Sequence, residues 1–382
     1  MARGRRLVSR PRVRDDLALV EGYHSPQVSV DVRLNTNESP IAPPAAFTEQ
    51  FTAAVATIEW HRYPDRSASA LRAKLASHYG VRAEQVFVAN GSNEVLQCLL
   101  LAYGGTGRRA AVFEPTYALH SHIARVVGTE VVVGQRTEQF DLDLDVVREV
   151  ITANQPEVVF LCSPNNPTGV VDPPETVRTV LDLTRDYGGL VIVDEAYGQF
   201  TPTSAVSLID EHEALVVSRT FSKTWSLAAL RLGYCIGPSW LIASLEDVAL
   251  PYHLDAVKQL AGTIALDFRK EMDERVSFLV EERGRLATAL ADLPVSVWPS
   301  GANFVLFRPE NRAGAEVWQE LVDRSVLVRN CASWPGLDGC LRVTVGTRRE
   351  NEAFLTALAD VLRASSVLGS ASRSPVPGKE SA

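Results

Sequence analysis

Short apolar segments alternate with helix-type patterns through the middle of the chain. The apolar segments predicted as buried strands are residues 110–113, 158–162, 190–193, 215–217 and 232–236. The helix-type patterns between and before them include residues 68–79, 94–102 and 175–187. Continuous apolar runs are typical of strands covered on both faces, and strand–helix alternation favours parallel pairing. The pattern therefore predicts an α/β domain with a mostly parallel sheet and helices on both faces.

The pattern changes from about Pro251. The later segments are predicted as long helices over 257–293, a strand at 304–307, a helix near 315–323, a strand at 341–345 and a helix over 349–362. This arrangement predicts a smaller C-terminal α+β domain. The predicted organisation is an N-terminal arm (1–30), a large domain (31–250), a small domain (251–364) and a disordered tail rich in Ser, Pro and Gly (365–382).

Length and composition agree with a two-domain globular protein. A chain of 382 residues exceeds what one hydrophobic core usually holds, and the content of 46% hydrophobic and 22% charged residues is ordinary. The net charge of −8 argues against nucleic-acid binding, and no apolar run is long enough to span a bilayer. The arginine-rich start is predicted to be a solvated arm rather than a transit peptide, because Asp15 and Asp16 follow it at once.

Cysteine and histidine spacing indicates neither a disulfide framework nor a metal site. The five cysteines include no C-x-x-C pair, and three of them lie in apolar segments, which predicts a reducing, cytoplasmic setting. The seven histidines show no metal-ligand spacing, so no metal is expected. His120 and His122 lie two apart and are interpreted as incidental.

Lys223 carries the strongest chemical signal in the sequence. It lies in residues 218–225 (SRTFSKTW), just past a predicted strand, and Arg231 follows shortly after. Hydroxyls and an arginine can hold a phosphate dianion, while a lysine amine can condense with an aldehyde. The segment therefore suggests a Schiff-base site for a phosphorylated aldehyde.

A second possible phosphate contact lies at residues 89–95 (ANGSNEV), before a predicted helix. Gly91 allows a tight turn, and Ser92 and Asn93 place backbone N–H groups at the helix N-terminus. That end carries partial positive charge and unpaired donors, which suit a phosphate. Ser and Asn are also common N-caps, and the segment taken alone favours an ordinary cap.

Polar side chains follow two of the predicted core strands. Asn166, in residues 161–169 (LCSPNNPTG), precedes Pro167 and is pushed toward an extended conformation, from which its amide could donate to a phenolate oxygen. Asp194 ends the next strand, where a carboxylate is costly unless it is paired. A protonated pyridine nitrogen is a suitable partner. A magnesium-binding Walker acid is the rival interpretation, but the chain lacks the G-x-x-x-x-G-K-[ST] loop that it requires.

Aromatic and basic residues elsewhere leave two interpretations open. Tyr117 follows a predicted strand and could stack on a flat cofactor, yet such aromatics, like Tyr63, are more often core residues. Arg329 and Arg342 lie in the last domain, and Arg342 interrupts an apolar strand. Such an arginine is either paired structurally or aimed at an anionic ligand, with a bidentate fork that suits a carboxylate.

The order of these motifs along the chain is itself informative. From the helix-start loop through Tyr117, SPNNPTG, DEAY, SK and Arg231, the chain resembles the fold-type I pyridoxal 5′-phosphate (PLP)-dependent aminotransferases. Finer matches lie at residues 34–40 (LNTNESP), 62–65 (RYPD), 219–223 (RTFSK), 302–304 (ANF), 327–329 (LVR) and 340–347 (CLRVTVGT). Within that class they are similar to the histidinol-phosphate aminotransferase family, and the resemblance runs from about residue 16 to 362.

The resemblance implies a role for each matched residue. Lys223 would form the Schiff base with PLP, and Asp194 would pair with the pyridine nitrogen. Asn166 and Tyr197 would hydrogen-bond the phenolic oxygen of the ring, and Tyr117 would stack on it. The residues implied at the cofactor phosphate are Ser92, Asn93, Thr220, Ser222, Arg231 and, across a homodimer, Tyr63. The residues implied at the substrate are Arg342 for the α-carboxylate of glutamate, and Arg329 and Tyr23 for the substrate phosphate.

The implied reaction is amino transfer between L-histidinol phosphate and 2-oxoglutarate, giving imidazole-acetol phosphate and L-glutamate in histidine biosynthesis. An aromatic aminotransferase and a phosphothreonine-type decarboxylase are the alternatives. A non-catalytic PLP-binding protein is disfavoured because the Lys–Asp–Arg set is intact. Ser92 and Thr224-Trp225 depart from the usual family pattern close to the expected pocket.

Overall fold

The protein was studied as a computed structural model, which describes residues 11–14, 17 and 28–370. Tyr23, most of the predicted arm and residues 371–382 lie outside the described residues. In the described part of the chain, no helix combines the length and apolar character needed to cross a membrane.

The described residues form twelve strands and eleven α-helices. The strands are β1 Val32–Leu34, β2 Val86–Ala89, β3 Arg109–Glu114, β4 Glu130–Gln135, β5 Val158–Cys162, β6 Leu190–Asp194, β7 Leu215–Thr220, β8 Gly233–Ile236, β9 Val295–Val297, β10 Phe304–Pro309, β11 Val326–Asn330 and β12 Leu341–Thr344. The helices are α1 Ala45–Val55, α2 Ser69–Tyr79, α3 Ser92–Tyr103, α4 Leu119–Val126, α5 Leu144–Asn154, α6 Pro174–Arg185, α7 Ser239–Val248, α8 Ala256–Ala265, α9 Arg269–Ala291, α10 Gly314–Asp323 and α11 Arg348–Ser370.

The larger sheet has seven strands in the order β2-β8-β7-β6-β5-β3-β4. The pairs from β7 across to β4 are parallel, while β8 runs antiparallel to both of its neighbours. Every residue of β5 is buried. Successive side chains of β5 point to opposite faces of the sheet and pack in two different hydrophobic cores. Val159 and Leu161 pack in the core with α2, α5 and α6. Val158 and Phe160 pack in the core with α3 and α7. Helices therefore cover both faces, and the predicted fold class is confirmed.

The smaller sheet has five strands in the order β1-β11-β12-β10-β9. Its core packs against α9, α10 and α11. β1 lies within the range predicted for the large domain but pairs in parallel with β11 of this sheet. The chain therefore crosses from the smaller sheet to the larger one directly after β1.

The last helix corrects one prediction. α11 continues to Ser370, although the sequence composition predicted disorder from residue 365. No proline follows in the sequence until Pro375, so nothing there ends the helix by removing a backbone N–H group.

Parallel pairing sets the position of the candidate site. Because β5, β6 and β7 run in the same direction, their carboxyl ends meet at one edge of the sheet. Asp194 ends β6, and Asn166 and Lys223 lie in the segments that follow β5 and β7. At the same edge, β8 begins against α3. A Cβ atom on Gly233 would clash with the backbone of Gly91 and Ser92, so glycine permits this close approach.

Candidate active site

A cavity of about 160 Å³ lies at this edge of the larger sheet. Most of the site residues predicted from the sequence line it, namely Ser92, Asn93, Tyr117, Asn166, Asp194, Tyr197, Thr220, Ser222, Lys223, Arg231 and Arg342. Tyr63 does not: its side chain is 80% exposed and its ring stacks on Tyr252, with 4.5 Å between centroids. The structure thus brings together residues that are spread over much of the sequence.

Lys223 lies partly buried in this cavity. Its Nζ donates to the carbonyl oxygen of Thr36 at 3.2 Å, and it forms no ion pair with a described residue. Burial lowers the pKa of Lys223 to about 7, and the positive charge of Arg342 acts in the same direction. A substantial fraction of the amine is therefore neutral near pH 7, which is the form that can attack a carbonyl.

Asp194 is the buried acid of the cavity, with 2% of its surface exposed. Its Oδ1 accepts from the backbone N–H of Ala196, and its Oδ2 accepts from His120 Nε2 at 3.0 Å. The His120 ring stacks on Phe160 at 4.6 Å, which fixes its plane. His120 was interpreted from the sequence as incidental, and that interpretation is wrong. His120 lies in the first turn of α4, from which its ring reaches Phe160 of β5 and Asp194 of β6.

Asn166 and Tyr197 offer hydrogen-bond donors to the cavity. Asn166 Oδ1 accepts from Arg342 Nη1, so its Nδ2 is the atom left to donate. Tyr197 is buried, with its ring edge toward Phe304 at 5.1 Å, and burial raises the pKa of its hydroxyl to about 12. The hydroxyl therefore keeps its proton at neutral pH.

One end of the cavity is a cluster of donors and positive charge. α3 begins at Ser92, directly after Gly91, whose φ of 85° is a left-handed conformation that favours glycine. Arg231 Nη1 donates to Ser222 Oγ at 3.3 Å, and Thr220 Oγ1 donates to the same oxygen at 3.0 Å. A helix N-terminus, three hydroxyls and a guanidinium form a suitable environment for a phosphate dianion.

Arg342 also lines the cavity, and Arg329, which is not among the lining residues, lies beside it on the neighbouring strand. Arg342 of β12 is directly opposite Arg329 of β11, and directly opposite residues project from the same face of a sheet. Arg342 contacts neutral groups, the amide oxygen of Asn166 and the carbonyl of Asn35, and lies over the Phe304 ring. The Arg329 guanidinium lies over the Trp334 ring at 5.2 Å. Both arginines are less than a tenth exposed.

The positions of Tyr117 and Trp225 relative to the cavity were left open by the sequence. The Tyr117 hydroxyl donates to Asn93 Oδ1 at 3.2 Å, and its ring forms part of the cavity wall rather than of the core interior. Trp225 points away from the cavity, is 4% exposed and packs on Phe221 and His78. The departure at Thr224-Trp225 therefore changes the core and leaves the cavity lining intact.

These groups fit PLP. The buried Asp194 carboxylate suits a cationic ring nitrogen, and Asn166 and Tyr197 suit an anionic ring oxygen. Lys223 is an amine with a lowered pKa, placed within the same cavity. The donor cluster around Arg231 suits the phosphate group.

Comparison with known proteins agrees with this chemistry. Residues 29–358 match the family described as aminotransferase class I and II. Histidinol-phosphate aminotransferases of Frankia casuarinae and Mycolicibacterium smegmatis are 44% and 45% identical to the chain, over 92% and 91% of it and 91% and 93% of their own lengths.

Solved structures show the same fold. The histidinol-phosphate aminotransferase from Clostridium acetobutylicum has a TM-score of 0.81 at 23% identity, covering 87% of this chain and 99% of its own. The enzyme from Sinorhizobium meliloti, solved in complex with pyridoxal-5′-phosphate, has a TM-score of 0.78 at 21% identity, covering 88% and 92%. The family predicted from the sequence motifs is confirmed. The chain belongs to the class I and II aminotransferases and, among them, to the histidinol-phosphate aminotransferase family.

Proposed function

We propose that this chain transfers the amino group of L-histidinol phosphate to 2-oxoglutarate, giving imidazole-acetol phosphate and L-glutamate, as a step of histidine biosynthesis. The observation that carries the proposal is the cavity that Lys223, Asp194 and Arg342 line together, with Arg329 directly opposite Arg342 on the neighbouring strand. One substrate is a phosphate without a carboxylate, and the other is a dicarboxylate without a phosphate. Two arginines at adjacent positions meet that double requirement.

The cofactor PLP supplies a conjugated ring that accepts the electron pair released at the substrate Cα. With the cofactor bound, Asp194 would hold the ring nitrogen in its protonated form, and His120 would fix the carboxylate. Asn166 and Tyr197 would hydrogen-bond the ring oxygen, and Tyr117 would stack on the ring. Ser92, Asn93, Thr220, Ser222 and Arg231 would hold the phosphate.

Lys223 moves the proton. As a neutral amine, Nζ takes the proton from Cα of the amino donor and later returns a proton to the acceptor. Arg342 binds the α-carboxylate of glutamate and 2-oxoglutarate, while Arg329, with Tyr23, binds the phosphate of histidinol phosphate. The low pKa of Lys223 supports this role, because a fully protonated amine cannot accept a proton.

A panel of amino donors with 2-oxoglutarate tests the proposal. Histidinol phosphate, phenylalanine, tyrosine and phosphothreonine would be compared by kcat/KM, with glutamate and carbon dioxide measured as products. We expect histidinol phosphate to be the preferred donor. A preference for an aromatic donor, or release of carbon dioxide from phosphothreonine without consumption of 2-oxoglutarate, would replace the proposal with one of its two rivals.

Cofactor uptake should depend on pH through Lys223. Its pKa of about 7 means that the amine gains a proton below this pH and loses it above. The rate at which the apoenzyme incorporates PLP should therefore rise as the pH passes through about 7 and level off above it. An ordinary lysine would instead give a rate that climbs toward roughly pH 10. Stopped-flow absorbance of apoenzyme mixed with PLP measures the profile.

His120→Phe should weaken cofactor binding. Phenylalanine can keep the stacking on Phe160 but removes the hydrogen bond to Asp194, and a bond to a charged group contributes about 1.5–3 kcal/mol. We expect the Kd for PLP to rise about 10- to 100-fold, measured by fluorescence titration. His122→Phe is the matched control, two residues along the same helix, and should bind normally. An unchanged Kd in His120→Phe would show that Asp194 does not depend on the histidine.

We also propose a homodimer with shared sites, located in the cytoplasm. Tyr63 and Tyr252, whose rings stack, are both exposed, and so are Trp60 and Leu250, which lie close to them in the sequence. Tyr63 would then reach the cofactor phosphate of the partner subunit. All five cysteines are buried and unpaired, which agrees with a reducing compartment.

The shared-site arrangement can be tested by mixing subunits. A solution mass of twice one chain is expected from light scattering. Mixing Tyr63→Ala with Lys223→Ala subunits should then raise the activity above the sum of the two, because one site of each mixed dimer is intact. A monomeric mass, or strictly additive activity in verified mixed dimers, would contradict the arrangement.

A further inference from the structure

The segment after β1 contacts the cavity, but none of the roles above uses its side chains. Residues 34–40 (LNTNESP) run from the smaller sheet to the larger one. Their backbone carbonyls accept from the catalytic groups, Asn35 from Arg342 and Thr36 from Lys223. Asn37 is the most buried residue of the turn, 1% exposed, and its φ is 54°. A left-handed Asn at a buried position indicates that its backbone and side chain are held by specific partners.

The backbone of Asn37 is held by the smaller sheet. Its N–H donates to Thr344 Oγ1 at 3.0 Å, at the end of β12. Its carbonyl oxygen accepts from Asn303 Nδ2 at 3.1 Å, just before β10. Asn37 is therefore fixed to two strands of the smaller sheet, one of which carries Arg342.

The side chain of Asn37 is oriented by two hydrogen bonds. Thr344 Oγ1 accepts the Asn37 N–H, so its own proton is available for Asn37 Oδ1, 3.2 Å away. That bond places the Asn37 Nδ2 on the other side, where it donates to the Tyr197 hydroxyl at 2.9 Å. In this arrangement Thr344 donates to Asn37, and Asn37 in turn donates to Tyr197.

The direction of the last bond controls the Tyr197 proton. A phenolic hydroxyl carries one donor, and an oxygen that accepts from Asn37 directs its own hydrogen elsewhere. Tyr197 lines the cavity, so the remaining direction for its O–H is into the cavity. We propose that Asn37 is a positioning residue that aims the Tyr197 hydroxyl proton at the ring oxygen of the bound cofactor. This inference rests on the proposed use of PLP at this site.

The pH dependence of the visible absorption band of the loaded enzyme provides the test. A hydrogen bond donated to the ring oxygen favours its anionic form, so losing that bond should raise the pH at the midpoint of the spectral change. Asn37→Gly removes the amide while its backbone tolerates the positive φ. We expect its midpoint to move upward by about one pH unit, in the same direction as Tyr197→Phe.

The double variant decides whether Asn37 acts through Tyr197. If it does, adding Asn37→Gly to Tyr197→Phe should leave the midpoint of Tyr197→Phe nearly unchanged. Asn37→Asp is the second variant. It keeps an acceptor for Thr344 and tolerates the backbone conformation, but it would accept the Tyr197 proton rather than donate. It should therefore also raise the midpoint.

The outcomes separate the two proposals. A wild-type enzyme without a Lys223-dependent band contradicts the use of PLP at this site. A normal wild-type band with no change in either Asn37 variant overturns the inference about Asn37, and so do shifts that add fully in the double variant. If Asn37→Gly does not fold, the Asn37→Asp midpoint and its double variant with Tyr197→Phe decide the question.

Discussion

Lys223→Ala abolishes amino transfer, with kcat falling by about 10³-fold or more, the upper part of the range for loss of a positioned acid–base group. The variant loses both the amine that links to the cofactor and the base that moves the Cα proton. The folded structure should remain, because the Nζ of Lys223 contacts neutral groups, the Thr36 carbonyl and the Tyr197 ring. Mass spectrometry after borohydride reduction should find cofactor attached to the wild-type chain and none attached to the variant.

Lys270→Ala is the matched control. Lys270 is on the exposed surface of α9, with 86% of its side chain accessible, so its loss should leave kcat unchanged. Added methylamine should partly restore Lys223→Ala, because a free amine can enter the cavity that the side chain leaves. Full turnover by Lys223→Ala without an added amine would contradict the assignment of Lys223 and the proposed mechanism with it.

The central strands of the larger sheet are predictable because buried strands have a recognisable apolar sequence. β5, β6 and β7 are fully buried and read as continuous apolar runs, as expected for strands covered on both faces. β4 was not predicted. It lies at the edge of the sheet with a mostly exposed or half-buried pattern, so its apolar signal is weak.

The cavity is predictable for a related reason. Parallel strands bring their carboxyl ends to one edge, so polar residues at the end of β6 and just after β5 and β7 must be neighbours. Asn166, Asp194 and Lys223 follow this rule. No detailed packing information is needed to place them together.

No such rule predicts the residues that hydrogen-bond to the cavity-lining side chains. His120 is 74 positions from Asp194, and Asn37 is 160 positions from Tyr197. Their pairing depends on how α4 packs on the sheet and on how the segment after β1 crosses between sheets. Neither arrangement leaves a periodic or local pattern in the sequence. A buried polar residue of this kind becomes recognisable only when its hydrogen-bond partners are known.

The sequence also could not decide the role of the arginine pair. The sequence left structural pairing and ligand binding equally open for Arg342. The structure places it in the cavity, where its hydrogen-bond partners among the described residues are neutral, and a buried charge without a counter-charge is costly. A bound carboxylate would offset that cost. This favours the ligand-binding interpretation, which the following variants test.

Arg342→Leu and Arg329→Leu should separate the two half-reactions. Without Arg342 the carboxylate of glutamate or 2-oxoglutarate loses its buried partner, a loss of about 2–5 kcal/mol, so kcat/KM for these substrates should fall by about 30- to 4000-fold. The half-reaction with histidinol phosphate should fall far less. Arg329→Leu should show the reverse pattern, because its proposed ligand is the phosphate. Single-turnover absorbance changes of the loaded enzyme measure each half-reaction by itself.

Arg308→Leu supplies the control for both variants. Arg308 is on the neighbouring strand β10, but its side chain is exposed, so neither half-reaction should change. The prediction depends on selectivity rather than on loss of activity, because a general disturbance of the smaller sheet would slow both half-reactions together. Equal losses in both half-reactions for each arginine variant would therefore contradict the division of roles. Equal losses with normal cofactor binding would mean that the two substrates share one anion site, although Arg329 and Arg342 occupy adjacent positions on separate strands.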